Sequence, residues 1–166
     1  MKISIRPETT ADIHIIGEVT RRAFENHPYS HDTEQFIIDA LRENGVLSVS
    51  LVAEVGGRVV GHIAFSPVEV SDGSTGWFGL GPIAVSPEFQ RRGIGCELMR
   101  HGLDALRELQ AGGCVLVGEP AFYGRFGFRA EQGLVLEGVP PEYFMSLSFG
   151  ESNPAGTVAF HASFSV

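Results

Sequence analysis

The chain is short of cysteine, of basic residues and of long apolar runs, and each shortage removes a class of protein. Only Cys96 and Cys114 occur among 166 residues. They lack metal-type spacing, so no metal is expected, no disulfide joins them, and they read as ordinary reduced thiols. No run of 18 apolar residues occurs. Met1 to Arg6 is polar and alternating rather than a basic start followed by an apolar stretch. Neither a membrane span nor a signal peptide is predicted, and the cytoplasm is the expected compartment. Twelve basic residues face twenty acidic ones, a net charge of −8. That field repels nucleic acid and anionic membranes, so an anionic ligand needs a local basic patch. Repeats, low-complexity segments and long linkers are missing too. What is present is 43% hydrophobic content, enough for one domain over residues 1–166 with a sizeable core.

Along the chain, Ile3 to Arg6 reads as a short strand ended by Pro7. Thr9 or Thr10 can cap a helix in which Ile13, Ile16, Val19 and Ala23 recur every three or four positions, to about Phe24. Asn26, Pro28 and Ser30 are turn formers. Asp32 or Thr33 can then start a helix through Phe36, Ile37, Ala40 and Leu41, which Asn44 and Gly45 end. Leu47, Val49, Leu51 and Ala53 alternate with Ser48, Ser50 and Val52, the pattern of a half-buried strand. Gly56-Gly57 supplies a two-residue turn into a strand over Arg58 to Ser66. Val68 to Val70, the Asp72-Gly73 turn and Trp77 to Val85 continue an antiparallel meander. Pro82 removes a ladder donor inside the last of these strands, which predicts a bulge or a break in pairing there. A stripe of Ile94, Leu98, Gly102, Ala105, Leu106 and Leu109 predicts a long helix. Cys114 to Val117 then reads as a buried strand, parallel to the earlier one by a right-handed crossover. A short turn or helix follows over Ala121 to Arg125, and Phe126 to Phe128 leads back to the sheet. Leu134 to Leu136, Phe144 to Phe149 and Thr157 to Phe160 are weaker strand candidates, with Pro140-Pro141 opening a one-turn helix.

The stretch Gln90-Arg91-Arg92-Gly93-Ile94-Gly95 lies between the strand end at Ile83 to Val85 and the long helix. A helix start leaves backbone N–H groups unpartnered, and glycines there admit a phosphate or another backbone. The helix dipole adds only about 0.3 to 1 kcal/mol. Arg91 and Arg92 add two fixed cations beside those donors, and the corner reads as an anion cradle. It is not the dinucleotide fingerprint, whose third glycine would stand at Leu98, nor a Walker loop, which a Lys and a Ser or Thr would close. A tight turn with a helix cap is the plain alternative.

With these residues in order, the chain resembles the GNAT family of acyl-CoA N-acyltransferases and, within it, the YhbS-like acetyltransferases. Gln90 to Gly95 is similar to that family's pyrophosphate-binding pattern, Q/R-x-x-G-x-G/A. Tyr123-Gly124-Arg125-Phe126-Gly127-Phe128 is similar to its later Y-x-x-x-G-F element. The motif region spans Leu80 to Phe128. The resemblance implies a single α/β (α+β) GNAT-like domain with a mixed central sheet of about six to seven strands, flanked by about four helices. It implies acetyl-CoA as donor, with the pyrophosphate on the N–H groups of Arg91, Arg92, Gly93, Ile94, Gly95 and Cys96. The pantetheine arm would pair with Ile83, Ala84 and Val85 like an added strand, and Phe126 would touch it. Tyr123 would face the thioester sulfur. Glu119 and Pro120 stand where other acyltransferases often have Asn or Asp.

The chemistry has its own demands. An amine of ordinary pKa about 10.4 is charged at pH 7, and freeing it costs about 4.6 kcal/mol, so a base or a water path is needed. Glu119 is the first candidate, with His62, His27 and His31 as alternatives, and Glu119 as a plain cap of the short turn beside them. A phenol near pKa 10 is a weaker acid than a thiol near 8.5, so Tyr123 stabilises a departing thiolate as much as it protonates it. A packed aromatic cluster with Phe122, Phe126 and Phe128 is its plain alternative. Three functions compete. One is an N-acetyltransferase acting on a primary amine of a small molecule or peptide, as monomer or homodimer. The second is a non-catalytic acyl-CoA-binding module, which would tolerate loss of Tyr123. The third is an aminoacyl-tRNA-acetylating toxin, which the charge of −8 disfavours.

Overall fold

The computed structural model describes residues 1–131 and 133–166. Strand β1 (Ser4–Pro7) leads into a turn in which the Asp12 carboxylate accepts from Thr9 N–H at 2.6 Å and from Arg6 at 2.7 and 3.0 Å. Helix α1 (Ile13–Phe24) starts there, and α2 (Glu34–Glu43) runs from Thr33 to Asn44. β2 (Val49–Val55) and β3 (Arg58–Pro67) are joined by Gly56 and Gly57 at φ of 58° and 76°, the positive values a two-residue hairpin of this hand requires. β4 (Glu69–Val70) is followed by β5 (Trp77–Val85), α3 (Ile94–Glu108), β6 (Gly113–Val117) and the short α4 (Pro120–Tyr123). β7 (Leu134–Val135), β8 (Phe144–Ser148) and β9 (Gly156–Ala159) complete the strands.

Six strands form the central sheet in the order β1-β2-β3-β5-β6-β8. β5 and β6 are parallel through α3 and the remaining neighbours are antiparallel. This is the mixed sheet flanked by helices that the pattern predicts. A second, three-stranded sheet in the order β4-β9-β7 was not foreseen. It takes Val68 to Val70 out of the meander and claims the candidates at Leu134 and Thr157. Strands of two residues carry no readable period. What organises them is an apolar cluster of Val68, Val70, Leu134 and Val158 against Trp77, Val115 and Phe144.

β2 is not half-buried as its alternation suggested. Val49, Leu51 and Ala53 pack beneath α3 with Ile94, Leu98 and Leu106, while Val52 packs on the other face with Ile16, Val19 and Ile38. Helices cover both faces, so both sets of side chains lie inside. α3 approaches closely because Gly102 has no side chain: a Cβ there would lie 2.7 Å from Phe65 Cζ. No helix among the described residues is long and apolar enough to cross a membrane.

The ladder between β3 and β5 slips between the pairs Ile63–Ile83 and Phe65–Leu80. Pro82 falls within the slip, as its missing N–H predicts. On the other side β5 meets β6 only over Trp77 to Gly79, paired with Gly113 to Val115. Beyond Gly79 the two parallel strands part.

Candidate active site

The parted strands expose backbone. Ser86 N–H donates to Val60 C=O at 2.8 Å, which makes that pair hydrogen-bonded. Antiparallel alternation then makes Ala84–His62 the next bonded pair and turns the peptide groups of Ile83 and Val85 away from β3. Among the described residues no strand on the β6 side pairs with them. The Val85 carbonyl accepts from Gln90 Nε2 at 3.0 Å, so Gln90 braces the strand end. Ile83 and the Val85 N–H are left facing the gap, whereas Ala84 bonds to β3 and buries its side chain on the α1 face.

At the end of this edge, none of the N–H groups from Arg91 to Cys96 has an acceptor among the described residues; the first helical bond runs from Glu97 N–H to Gly93 C=O at 3.1 Å. Gly93 sits at φ 85° and Arg91 at φ 64°, which turns the chain sharply into α3. Ile94 points inward to the core. The space before the glycines is open. A Cβ on Gly93 would meet nothing within 4 Å, and one on Gly95 only Phe122 Cζ at 3.7 Å.

Charge separates this corner from the rest of the surface. Arg6, Arg21, Arg22, Arg42, Arg58, Arg100 and Arg107 all pair with carboxylates. Among the described residues Arg91, Arg92 and Arg125 make no ion pair, and Arg129, beside β8, is the other arginine without one. Arg92 lies over the Phe89 ring at 5.4 Å, and Arg125 over Phe122 at 5.0 Å with Nη1 3.7 Å from Cys96 Sγ. Unneutralised cations gather where unpartnered N–H groups already converge. Arg125 was not singled out from sequence; its place between Gly124 and Phe126 in the aromatic motif was the available signal.

The aromatic segment docks on the same corner. Phe122 and Tyr123 donate their N–H groups to Glu119 C=O, both at 3.1 Å, which closes the turn of α4. The Tyr123 ring packs edge-on to Phe122 at 4.9 Å and to Phe128 at 6.3 Å, and Phe126 lies 5.4 Å from Phe122. Burial pushes the Tyr123 phenol above its ordinary pKa. Its hydroxyl makes no hydrogen bond among the described residues, and the residue is partly exposed.

The candidate bases part company. Glu119 is exposed at the N-terminus of α4, and its side chain makes no capping bond. His27 and His31 sit on the exposed loop between α1 and α2. His62 is sealed, at 0% exposure, on the sheet face that α1 covers. Glu8, held by Arg42 at 2.9 Å, accepts the Ser50 hydroxyl proton, so Ser50 Oγ accepts in turn from His62 Nε2 at 2.7 Å. That leaves a lone pair on Nδ1 with no partner. Burial lowers the pKa of His62 to about 4. It is a neutral, enclosed group at neutral pH and does not meet the gap.

A groove of about 590 Å³ between α1 and α2 lies elsewhere, lined by His14, Glu18, Phe36 and Asp39 among others. Its one cation, Arg21, is already paired with Glu18 and Glu25. Its arginine is thus neutralised, unlike those at the α3 corner.

A parallel strand pair that parts beside a glycine helix start, with unpaired cations and an aromatic segment docked on that start, is the arrangement of an acyltransferase fold of the GNAT type. The chain belongs to the GNAT family: the profile of the acetyltransferase (GNAT) family matches residues 13–128. It is 39% identical over 126 residues to the uncharacterised N-acetyltransferase YhbS of Escherichia coli K12, covering 75% of this chain and 72% of that protein. Its structure is similar to a GNAT family acetyltransferase from Brucella melitensis in complex with acetyl-CoA, with TM-score 0.88, 46% identity and 98% of each chain covered. It is also similar to Escherichia coli YhbS in complex with CoA, with TM-score 0.90, 33% identity, and 100% of this chain and 93% of that one covered.

The enclosed His62 makes stability depend on pH in a defined window. The unfolded imidazole titrates near 6.5 and the folded one near 4. Between those values the unfolded state binds the extra proton, so stability falls as pH falls, by up to about 1.4 kcal/mol per unit. Above the window the group contributes no slope, and below it no further loss. The Asp12 carboxyl, held by Arg6 well below its usual range, contributes only at lower pH. Urea midpoints between pH 7 and 4 are expected to fall in the wild type and to fall less in His62→Gln; equal slopes would show that His62 is not the group responsible.

Proposed function

We propose that residues 1–166 form one catalytic domain, an acetyl-CoA-dependent N-acetyltransferase of the cytoplasm that acts on a primary amine of a small molecule or peptide. The observation that carries this is the run of unpartnered N–H groups from Arg91 to Cys96, flanked by Arg91, Arg92 and Arg125 without counter-charges. The relatives solved with acetyl-CoA or CoA support it. The pyrophosphate would rest on those amides, with the open space before Gly93 and Gly95 admitting it. Ile83 and Val85 would bond the pantetheine amides as a missing strand would, with Phe126 packing beside the arm. Gln90 and Ala84 would act indirectly, by holding the strand end in place. The donor supplies a thioester carbonyl.

The neutral amine forms the new C–N bond as the C–S bond breaks, and the amine's proton leaves through Glu119 or water. Glu119 stands exposed beside Tyr123, and His62 is too enclosed to share that task. Tyr123 donates a hydrogen bond to the leaving sulfur. Because burial makes its phenol a weaker acid, full proton transfer to the thiolate is uphill, and the donor acts by stabilising charge. An acyl-CoA-binding module without turnover would tolerate loss of Tyr123, so its presence favours the enzyme.

Two variants test the assignment. Tyr123→Phe should keep CoA affinity and lower turnover by about 100- to 10,000-fold, since the ring still packs and only the donor is lost. A rate within about threefold of wild type would make Tyr123 structural. Gly95→Ala should move stability and affinity in opposite directions. The new methyl meets protein only at ordinary contact distance, 3.7 Å from Phe122. Alanine suits a helix better by up to about 1 kcal/mol, so Tm should hold or rise. CoA affinity, measured by calorimetry, should fall by about tenfold or more, or about 1.4 kcal/mol. Unchanged affinity would mean that no phosphate approaches Gly95.

A further inference from the structure

We infer that Gly118 is a positioning residue for Tyr123: the hydrogen in place of a side chain lets the phenol ring lie across the end of β6 and so fixes where its hydroxyl sits for the acyl transfer. The inference rests on the acetyltransferase function proposed above. A Cβ built on Gly118 would lie 2.7 Å from Tyr123 Cδ2 and nearer still to Cε2, with Leu116 Cδ1 at 3.2 Å. These are ring atoms, not the tip of a flexible chain, and separations under 3.0 Å are not tolerated.

Neither backbone has room to give way. Gly118 follows directly on β6, whose last residue, Val117, is in register with Phe144 of β8, and its own N–H donates to Tyr143 C=O at 2.9 Å. Tyr123 is tied by its N–H to Glu119 C=O at 3.1 Å. Phe122 at 4.9 Å and the buried Phe128 at 6.3 Å flank the ring. The degree of freedom left is the rotamer of Tyr123, and changing it moves the hydroxyl from the place it now holds.

Gly118 is not there for its backbone. It is absent from the glycines with positive φ, so alanine is compatible with its conformation and any effect of a methyl is steric, through the ring. Glycine at this point serves the placement of one hydroxyl five residues later in the chain.

The test is a double-mutant cycle on the full chain, with acetyl-CoA turnover on an accepted amine and CoA affinity measured separately. Gly118→Ala is expected to lower kcat by about 100-fold, the scale of an ångström of misplacement at a reacting group. CoA affinity should stay within about threefold of wild type, because the corner at α3 is untouched. In the Tyr123→Phe background the same substitution should change kcat by less than about threefold, since the hydroxyl it would displace is gone. Full multiplicative effects of the two substitutions would overturn the inference, as would wild-type kcat in Gly118→Ala. If Tyr123→Phe itself leaves turnover intact, the acetyltransferase mechanism fails first; if it lowers turnover and Gly118→Ala does not, only the positioning role fails. Should Gly118→Ala not fold, recovery of the fold in Gly118→Ala/Tyr123→Ala supports the contact, and no recovery overturns it.

Discussion

Beyond Gly79 the β6-facing edge of β5 has peptide groups and no strand to pair them with, and the rest of the site is arranged around that edge. Pro82 lacks an N–H, the ladder to β3 slips across it, and β6 stays in register with β5 for only three residues, Gly113 to Val115. Backbone groups are obligatory hydrogen-bonding groups, so an open edge stays wet or takes a ligand that mimics a strand. The helix that follows begins with the same deficit. Arg91 to Cys96 extend the row of unpartnered donors from the strand end into the first turn of α3. A ligand that is amide-like along its length and anionic at one end matches both halves of that row, and CoA is such a molecule.

Electrostatics gives the corner its sign. The chain carries −8 overall, and most of its arginines are neutralised by neighbouring acids. Those at the α3 corner are not. Two of them lie over aromatic rings, Arg92 on Phe89 and Arg125 on Phe122, which holds a guanidinium in place without cancelling its charge. A ligand phosphate therefore does not have to displace a carboxylate to reach them. The network of Glu8, Ser50 and the buried His62 is the opposite arrangement: its charge is already compensated by Arg42, and its imidazole is sealed. Its effect is on stability, not on chemistry at the gap.

Much of this was legible because it is local. The glycines and arginines at positions 90 to 95, the aromatic run at 123 to 128 and the break at Pro82 each announce themselves within a few residues. The order of helices and long strands follows from their periods. What could not be read depends on where distant segments meet. β4, β7 and β9 are too short to show a period and owe their sheet to Trp77 and Phe144. β2 alternates as if one face were wet, because nothing in its own sequence records that α1 and α3 cover both sides. That Arg125 lacks a carboxylate, that His62 is enclosed, and that Gly118 lies under the Tyr123 ring are facts of tertiary packing. Gln90 and Ala84, which the family resemblance groups with the binding residues, direct their bonds to the strand end and to β3.

The most direct measurement is the change in backbone amide chemical shifts when CoA is titrated into the isotopically labelled protein. It reads each donor separately and needs no acceptor amine. The largest shifts are expected at the N–H groups of Ile83, Val85 and Arg91 to Cys96, with little change in the α1–α2 groove at His14, Glu18 and Phe36. Shifts concentrated in that groove, with the amides from Arg91 to Cys96 unmoved at saturation, would contradict the site.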